Sequence, residues 1–443
     1  MAVQTEDGDQ KTTKLERISK RASFRKDTVF NNIGHVIDLD LLRECYQELD
    51  GKKAIGIDGV TKASYGKRLE ERLQDLLARI RRDAYKPQAS RVVEIPKEDG
   101  SKRPLAIACF EDKIVQLAVS KILSAVYEPL FLPSSYGYRE GVNGHEALRA
   151  LMKYSNANPN GATLEIDLRK YFNSIPHDNL RNILREKIAD RRFLKLVEKL
   201  IRAPIMENGK VKLNEIGCPQ GSICSPIISN IYLHHVVDSW FERISVSHIK
   251  GRAKMVRFAD DMVFVFQIKE EADRFYKVLP KRLEKFGLVL HEGKSSLISS
   301  GRKAAEEADK RGERLPTYKF LGFICYWGKS RKGWWRFKYK SRSDRFADKL
   351  NGLRKYLKGN LNQETHQVLK QMRRVVVGWV NYHAISDNQR RVSSFILQSK
   401  RALFSWINRK GGNRKMNWKR FGNLLERVNY PQGFKTKSMF TTC

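Results

Sequence analysis

Two carboxylates sit side by side inside an apolar run: VRFADDMVFVF, residues 256–266, sets Asp260 and Asp261 between flanks that suit a buried hairpin. Burying adjacent like charges costs on the order of several kcal/mol unless a counter-charge accompanies them. Alone, such a pair most often caps a turn or faces solvent. Asp167 changes its meaning, because it ends the strand-like ATLEIDL about 90 residues upstream. If the two strands are neighbours, the three groups meet and the counter-charge can be a pair of Mg²⁺ ions. These hard cations take oxygen ligands and keep water and substrate phosphate in their shells. Two of them clamp an in-line phosphoryl transfer, one acidifying the attacking hydroxyl and the other holding the leaving pyrophosphate. The three residues read as a polymerase-type metal site.

The elements that must position them follow from the pattern around them. ATLEIDL begins a run of strand, helices, turn, helix, hairpin, helix and strand, with Asp178 and Asp190 placed to cap two helices. A helix starts near Glu270 and is expected to be interrupted at Pro280, and GLVLH reads as the closing strand. Interleaving of this kind predicts an α+β palm, a sheet with helices on one face. Upstream, Leu69, Leu73, Leu76, Leu77 and Ile80 recur at helical spacing. RVVEIPKEDGSKRPLAIA reads as a basic hairpin presenting Lys97, Lys102 and Arg103. Beyond Gly328 the chain is expected to turn helical. Phe346, Leu350, Leu353 and Leu357 form a stripe that leaves Arg345, Lys349 and Lys355 outward, a pattern that fits a solvated helix face as readily as a binding one. Residues 1–30 are polar and expected to be loosely ordered without a partner.

The charge balance points to a polyanionic partner. Eighty-five Lys and Arg against 49 Asp and Glu give a net charge of +36. From Lys329 to Cys443, 28 basic residues face 5 acidic ones, so this last quarter supplies 23 of the excess charges. Nucleic acid is the first partner such an excess suggests and an anionic membrane surface the second. Cysteines 45, 109, 218, 224, 325 and 443 are scattered, which argues against a disulfide framework or a zinc site. No apolar leader and no stretch of about 18 apolar residues is present, so a cytoplasmic protein without a membrane partner is expected.

Seven segments occur in one order: IPKEDGSKRPLAI, LPSSYGYREG, EIDLRKYFNSIPH, GCPQGSICSPIISNIYL, VRFADDMVFVF, FGLVLHEGKSSL and YKFLGF. Together they resemble, over about residues 25–430, the reverse transcriptases encoded by bacterial group II introns, which also act as splicing maturases. The resemblance implies a right-hand polymerase fold followed by an all-α basic thumb. Its parts would be a flexible basic segment (1–30), fingers (31–160), a ferredoxin-like palm (161–328), a helical thumb or maturase domain (329–430) and a short tail (431–443). It implies that Asp167 and Asp260 bind two Mg²⁺ ions directly, that Asp261 completes the acidic centre and that the Leu168 carbonyl is a further ligand. Lys97 and Arg103 would hold the incoming triphosphate. Phe172 would lie under the sugar, where its ring would clash with a 2′-hydroxyl. Gln220 and Gly221 would form a turn beneath the templating pair, the small residue letting backbone approach the nucleic acid. Lys294 would protonate the leaving pyrophosphate, and residues 320–323 would hold the primer end.

In the same family GWVNYHAISDN and NWKRFGNLLER belong to the region that grips RNA and the template duplex. Arg345, Lys349, Arg373 and Arg374 are its candidate nucleic-acid contacts. Trp379, Tyr382, His383 and Trp406 could stack on bases, although aromatics at helical spacing are more often core. Two positions depart from the family: Phe258 stands where Tyr is common and Asn173 where Asp is frequent, and neither removes a metal ligand. The implied activity is RNA-directed DNA synthesis, combined with binding of a structured intron RNA to aid splicing and mobility. Its partners would be that RNA, an RNA template with a DNA primer, target DNA and deoxynucleoside triphosphates, in a bacterial cytoplasm at the nucleoid. A chain ending at Cys443 is expected to lack a Cys- and His-bearing nuclease domain, and so to take its primer from a nick or a nascent strand. Two other readings use the same residues: a domesticated relative in antiphage defence or DNA repair, and an RNA-binding splicing cofactor without polymerase activity. The three intact carboxylates speak against the latter.

Overall fold

The computed structural model describes residues 13–96, 100, 102–207, 209–411 and 415–440. Lys97, expected to contact the triphosphate, lies outside the described residues. In chain order the strands are β1 (Ser90–Pro96), β2 (Lys102–Ile107), β3 (Gly161–Ile166), β4 (Ile205–Glu207), β5 (Lys210–Lys212), β6 (Ala253–Phe258), β7 (Asp261–Phe266), β8 (Ser296–Ser300), β9 (Tyr318–Phe320), β10 (Phe323–Lys329) and β11 (Trp335–Ser341). They form three sheets with strand orders β2-β1-β4-β5, β6-β7-β3-β8 and β11-β10-β9. The molecule is therefore a mixed α and β protein, with a helical C-terminal region.

The second sheet carries the carboxylates and is antiparallel throughout. Its first strand, β3, lies between β7 and β8, and helices run between β3 and β6 and between β7 and β8. Helices cover both faces of this sheet, not one. Side chains alternate across a strand, so Phe264 and Phe266 of β7 pack with Phe241 and Phe275 on one side. Val263 and Val265 join Ala147, Leu148 and Leu151 of the Gly144–Ala157 helix on the other. Burial on both faces is the reason the run around Asp260 and Asp261 is apolar without alternation.

Several local expectations are corrected by packing. The Lys269–Glu284 helix passes through Pro280 unbroken, held by Leu279 and Leu283, which are buried on either side of it. GLVLH forms only a single bridge, Leu168 to Leu290, and the closing strand follows it at Ser296–Ser300. Asp190 caps its helix through Phe193 N–H (3.0 Å) and also accepts from Ile33 and Gly34 N–H (3.0 and 2.8 Å). Asp178 does not cap; Pro176 occupies that position and Asp178 pairs with Arg181 at 2.9 Å. Within the N-terminal segment the Thr13 capping box starts the Lys14–Phe24 helix, and Ile18 and Ala22 of that helix are buried in the main core.

The chain does not turn helical at Gly328. β10 and β11 form a seven-pair hairpin across that point, from Phe323↔Ser341 to Lys329↔Trp335. Phe337, Tyr339 and Ser341 are buried while Arg336, Lys338 and Lys340 alternate with them, a period of two inside a basic stretch. Helices Ser343–Gly359, Thr365–His383, Gln389–Lys410 and Trp418–Arg427 follow, sharing their own core of Phe346, Leu350, Leu353, Trp379, Phe395 and Trp406 among others. No helix among the described residues is long and apolar enough to cross a membrane.

Candidate active site

The β6–β7 hairpin closes through Phe258↔Asp261, which leaves Ala259 and Asp260 as a two-residue turn. Ala259 takes a positive φ of 57°, a conformation L-residues adopt only when the surroundings enforce it. The enforcement comes from Arg257, a fully buried arginine that the sequence reading did not single out. Its guanidinium donates to both Asp238 carboxylate oxygens (2.7 and 2.6 Å), to Asn230 Oδ1 (2.9 Å), to Ser135 Oγ (2.7 Å) and to the Ala259 carbonyl (3.1 Å). Gly137 backs the same turn so closely that a Cβ there would fall 2.2 Å from Ala259 N. The one available signal was an arginine inside an apolar strand, which must be paired if it is buried.

Asp167 arrives from β3. The ladder pairs Ile166 with Met262, so its next step sets Asp167 across from Asp261. The Asp167 N–H donates to Ser295 Oγ (3.1 Å) and its carbonyl accepts from His291 N–H (2.9 Å). Lys294 comes from the same turn, with Nζ 3.9 Å from Asp167 Oδ2. Leu168 is buried and bridged to Leu290.

The electrostatics are those of crowded carboxylates. Burial pushes the Asp261 pKa up to about 6, with repulsion from Asp260 and Asp167 adding to it and Arg345 opposing it. Burial also raises Asp260; Asp167 adds to the shift, and Arg103 and Arg257 oppose it. A fourth carboxylate belongs to this field. Glu165, two residues before Asp167 on the same face of β3, is pushed up to about 7 by burial, with Asp261 and Asp167 contributing. The same-face i, i+2 relation to Asp167 could have revealed it. Among the described residues no three His, Cys, Asp or Glu side chains already stand in the arrangement of a closed metal site. The donor set nevertheless fits divalent metal: it is all oxygen, and the mutual repulsion of Asp260, Asp261 and Asp167 is what a hard cation would relieve.

Arg103 lies on the exposed N-terminal half of β2, and its charge acts on both Asp260 and Tyr138. Tyr138, at φ 57° and about half exposed, feels Asp260 and Asp261 as well; sequence reasoning missed it. Phe172 is half-buried in the short Tyr171–Ser174 helix, its ring 5.4 Å from that of Tyr171. Next to it, Gln220 Nε2 donates to Asn173 Oδ1 (3.1 Å), and the Gln220 carbonyl accepts from Ala106 N–H of β2 (2.6 Å). Gly221 needs its missing side chain for β2: at φ 105°, a Cβ would lie 2.5 Å from the Ala106 carbonyl oxygen. The backbone that approaches it is the protein's own, and the contact ties the strand of Arg103 to the Gln220 turn.

The C-terminal helices reach this cleft. Leu321 and Gly322 both have positive φ, 47° and 80°. Tyr382 Oη donates to the Leu321 carbonyl (2.8 Å), and Arg345 Nη1 lies 3.4 Å from where a Gly322 Cβ would be. The Arg345 charge also opposes the rise in the Asp261 pKa. Lys349 and Arg374 line a common groove, and exposed Arg373 donates to the Asn429 carbonyl (3.0 Å). Trp379 is sandwiched by His383 and Phe395, with centroids 4.1 and 3.9 Å away, and Trp406 is buried. These aromatics are core, the commoner outcome for their spacing.

The sequence profile of the reverse transcriptase (RNA-dependent DNA polymerase) family matches residues 95–325. The chain is 33% identical over 226 residues to the group II intron-encoded protein LtrA of Lactococcus lactis subsp. cremoris, covering 50% of this chain and 37% of that protein. It is 32% identical over 236 residues to an uncharacterized 91 kDa protein in the cob intron of Schizosaccharomyces pombe, covering 52% and 29%. It is 33% identical over 211 residues to the protein YkfC of Escherichia coli K12, covering 47% and 54%. The chain thus spans between 29% and 54% of the length of these relatives.

Proposed function

From the premise that this chain belongs to the reverse transcriptase family, we propose that it copies RNA into DNA, extending a DNA primer with deoxynucleoside triphosphates. The observation that carries this reading is the ladder register that brings Asp167 opposite Asp261, beside the turn bearing Asp260. The strand order β6-β7-β3-β8 supports a ferredoxin-like palm within a right-hand polymerase, with the β1–β2 sheet as fingers and the C-terminal helices as thumb. Asp167, Asp260, Asp261 and the Leu168 carbonyl would hold two Mg²⁺ ions. When bound, these supply Lewis-acid activation of the primer hydroxyl and neutralise the leaving pyrophosphate.

The chain's own residues do the rest. Arg103, whose field reaches Asp260, and Lys97 meet the triphosphate. Lys294, beside Asp167, gives a proton to the departing pyrophosphate. Phe172 excludes a 2′-hydroxyl, and Gln220 with Gly221 forms the floor under the templating pair. Residues 320–323, held by Tyr382, seat the primer end.

The likeness to an intron-encoded protein and the +36 charge support a second role on the same chain, binding a structured intron RNA to promote splicing and insertion into target DNA. The test is extension of a labelled DNA primer by the purified protein with Mg²⁺ on matched RNA and DNA templates. Extension on RNA is the expected result, and failure on both templates contradicts the reading.

A further inference from the structure

Residues 134–139 run beside β6, an outer strand of the carboxylate sheet. Arg257 N–H donates to the Ser134 carbonyl and Tyr136 N–H to the Arg257 carbonyl, both at 2.8 Å. Asn230 Nδ2 then donates to the Gly137 carbonyl (2.7 Å), and Gly137 is the residue whose Cβ would strike Ala259. Beyond it, the Arg139 guanidinium donates to Glu128 Oε2 (2.9 Å) and to the Leu132 and Ser135 carbonyls (3.1 and 2.9 Å). Tyr138 is thus held on both sides along the chain, yet the residue itself is 52% exposed. Its φ of 57° is a left-handed conformation that glycine adopts freely and an L-residue only under strain. A chain that needed only the bend would do as well with glycine here. What the strained position adds is an aromatic side chain beside the Ala259–Asp260 turn.

The charges that act on this ring show which side of the turn it serves. Burial raises the Tyr138 pKa; Asp260 adds to the rise, Arg103 opposes it, and Asp261 adds less. Tyr382, which holds the Leu321 carbonyl, is pushed up to about 12 by burial, with Arg345 opposing and Asp261 adding. The field at Tyr138 is that of Asp260 and β2, whereas the field at Tyr382 is that of Asp261 and the C-terminal helices. Tyr138 therefore faces the side of the cleft where Arg103 would meet a triphosphate. Phosphates there have Arg103 and divalent cations for partners, so the parts of a nucleotide left to contact are its sugar and base. A half-exposed ring on a fixed backbone offers them a flat apolar face with little ordering still to do.

We propose that Tyr138 is a nucleotide-binding residue, its ring packing against the sugar and base of the incoming deoxynucleotide on the β2 side of Asp260. The proposal rests on the polymerase reading, and its test separates the two. Single-nucleotide extension on an RNA template gives kcat and the KM for nucleotide for wild type, Tyr138→Leu, Tyr138→Phe and Tyr138→Gly. Primer–template affinity is read by fluorescence anisotropy without nucleotide, and stability by melting temperature. Tyr138→Leu keeps most of the side-chain volume without the flat face, Tyr138→Phe keeps the ring, and Tyr138→Gly relieves the backbone.

Tyr138→Leu and Tyr138→Gly should raise the KM for nucleotide at least about fivefold, the loss expected when one aromatic contact to a base is removed. Their kcat should stay within about twofold, because a contact made equally before and during the reaction sets KM alone. Tyr138→Phe should restore the wild-type KM. Primer–template affinity should stay within about twofold throughout, and all three variants should melt within a few degrees of wild type. An unchanged KM for nucleotide in Tyr138→Leu overturns the proposal. So does a rise in Tyr138→Phe as large as in Tyr138→Leu, which would assign the contact to the hydroxyl. Weaker primer–template binding with the nucleotide KM unchanged would give the ring to the primer and also overturns it, as does a large drop in melting temperature in both Tyr138→Leu and Tyr138→Gly, which would give the ring to the fold. A wild type that extends no primer ends the polymerase reading and this proposal with it; normal wild-type extension beside an unaffected Tyr138→Leu ends this proposal alone.

Discussion

Replacing Arg257 with methionine removes the side chain that holds the Ala259–Asp260 turn from beneath. Arg257 and Asp238 are both fully buried and joined by two charged hydrogen bonds of 2.7 and 2.6 Å. Removing one partner of such a pair costs about 3–5 kcal/mol, because the other charge is left without compensation. The Asn230, Ser135 and Ala259 oxygens lose a donor at the same time, and a buried acceptor left unmade costs about 1–3 kcal/mol. These losses overlap, so the expected destabilisation is about 4 kcal/mol or more, a large share of the roughly 5–15 kcal/mol that holds a typical domain folded. Urea unfolding of wild type, Arg257→Met, Asp238→Leu and the double variant measures it. The double variant should recover part of the loss, since no uncompensated charge remains. A loss below about 1 kcal/mol in Arg257→Met, or strict additivity in the double variant, refutes the reasoning.

Three further outcomes follow from the site. Phe172→Ala should raise ribonucleotide over deoxyribonucleotide incorporation in single-nucleotide extension; a lower melting temperature with unchanged sugar preference would make the ring core only. Asp261 has a folded pKa of about 6, above its ordinary value of about 3.9, so its ionisation opposes folding. That penalty is absent below about pH 4 and complete above about pH 6. Asp261→Asn should then raise the melting temperature at pH 7–8 in chelator-treated buffer, with the gain fading as pH falls through that window, and a pH-independent gain would contradict the assignment. Tyr382→Phe loses its hydrogen bond to the Leu321 carbonyl and should raise the KM for primer–template several-fold while leaving the KM for nucleotide unchanged; equal changes in both would remove the loop from primer seating.

The sheet was legible where the pattern is local. ATLEIDL and VRFADDMVFVF read as strands, and the convergence of Asp167 with the Asp260–Asp261 hairpin was conditional on the two strands being neighbours, which the β3–β7 ladder provides. What stayed hidden depends on tertiary contacts. The close approach of β2 to Gly221, where a Cβ would meet the Ala106 carbonyl, could not be read from the sequence. Arg373 and Arg374 are adjacent in sequence, yet one is bonded to the Asn429 carbonyl and the other lines a groove. β11 was masked by its composition, since six Lys and Arg between 329 and 341 conceal an alternation that only burial of Phe337 and Tyr339 reveals. Pro280 reads as a breaker by propensity, which packing of Leu279 and Leu283 overrides.

The central claim is that Asp167, Asp260 and Asp261 form one metal-dependent centre for DNA synthesis on RNA. Its most direct test is primer extension on an RNA template, with duplex affinity measured in parallel, for wild type and Asp260→Asn over a Mg²⁺ titration. One carboxylate among so many cations adds little to phosphate binding. The account predicts Mg²⁺-dependent extension by wild type, and loss of at least a thousandfold in rate for Asp260→Asn with duplex affinity within about twofold. Extension by Asp260→Asn at the wild-type rate would contradict it.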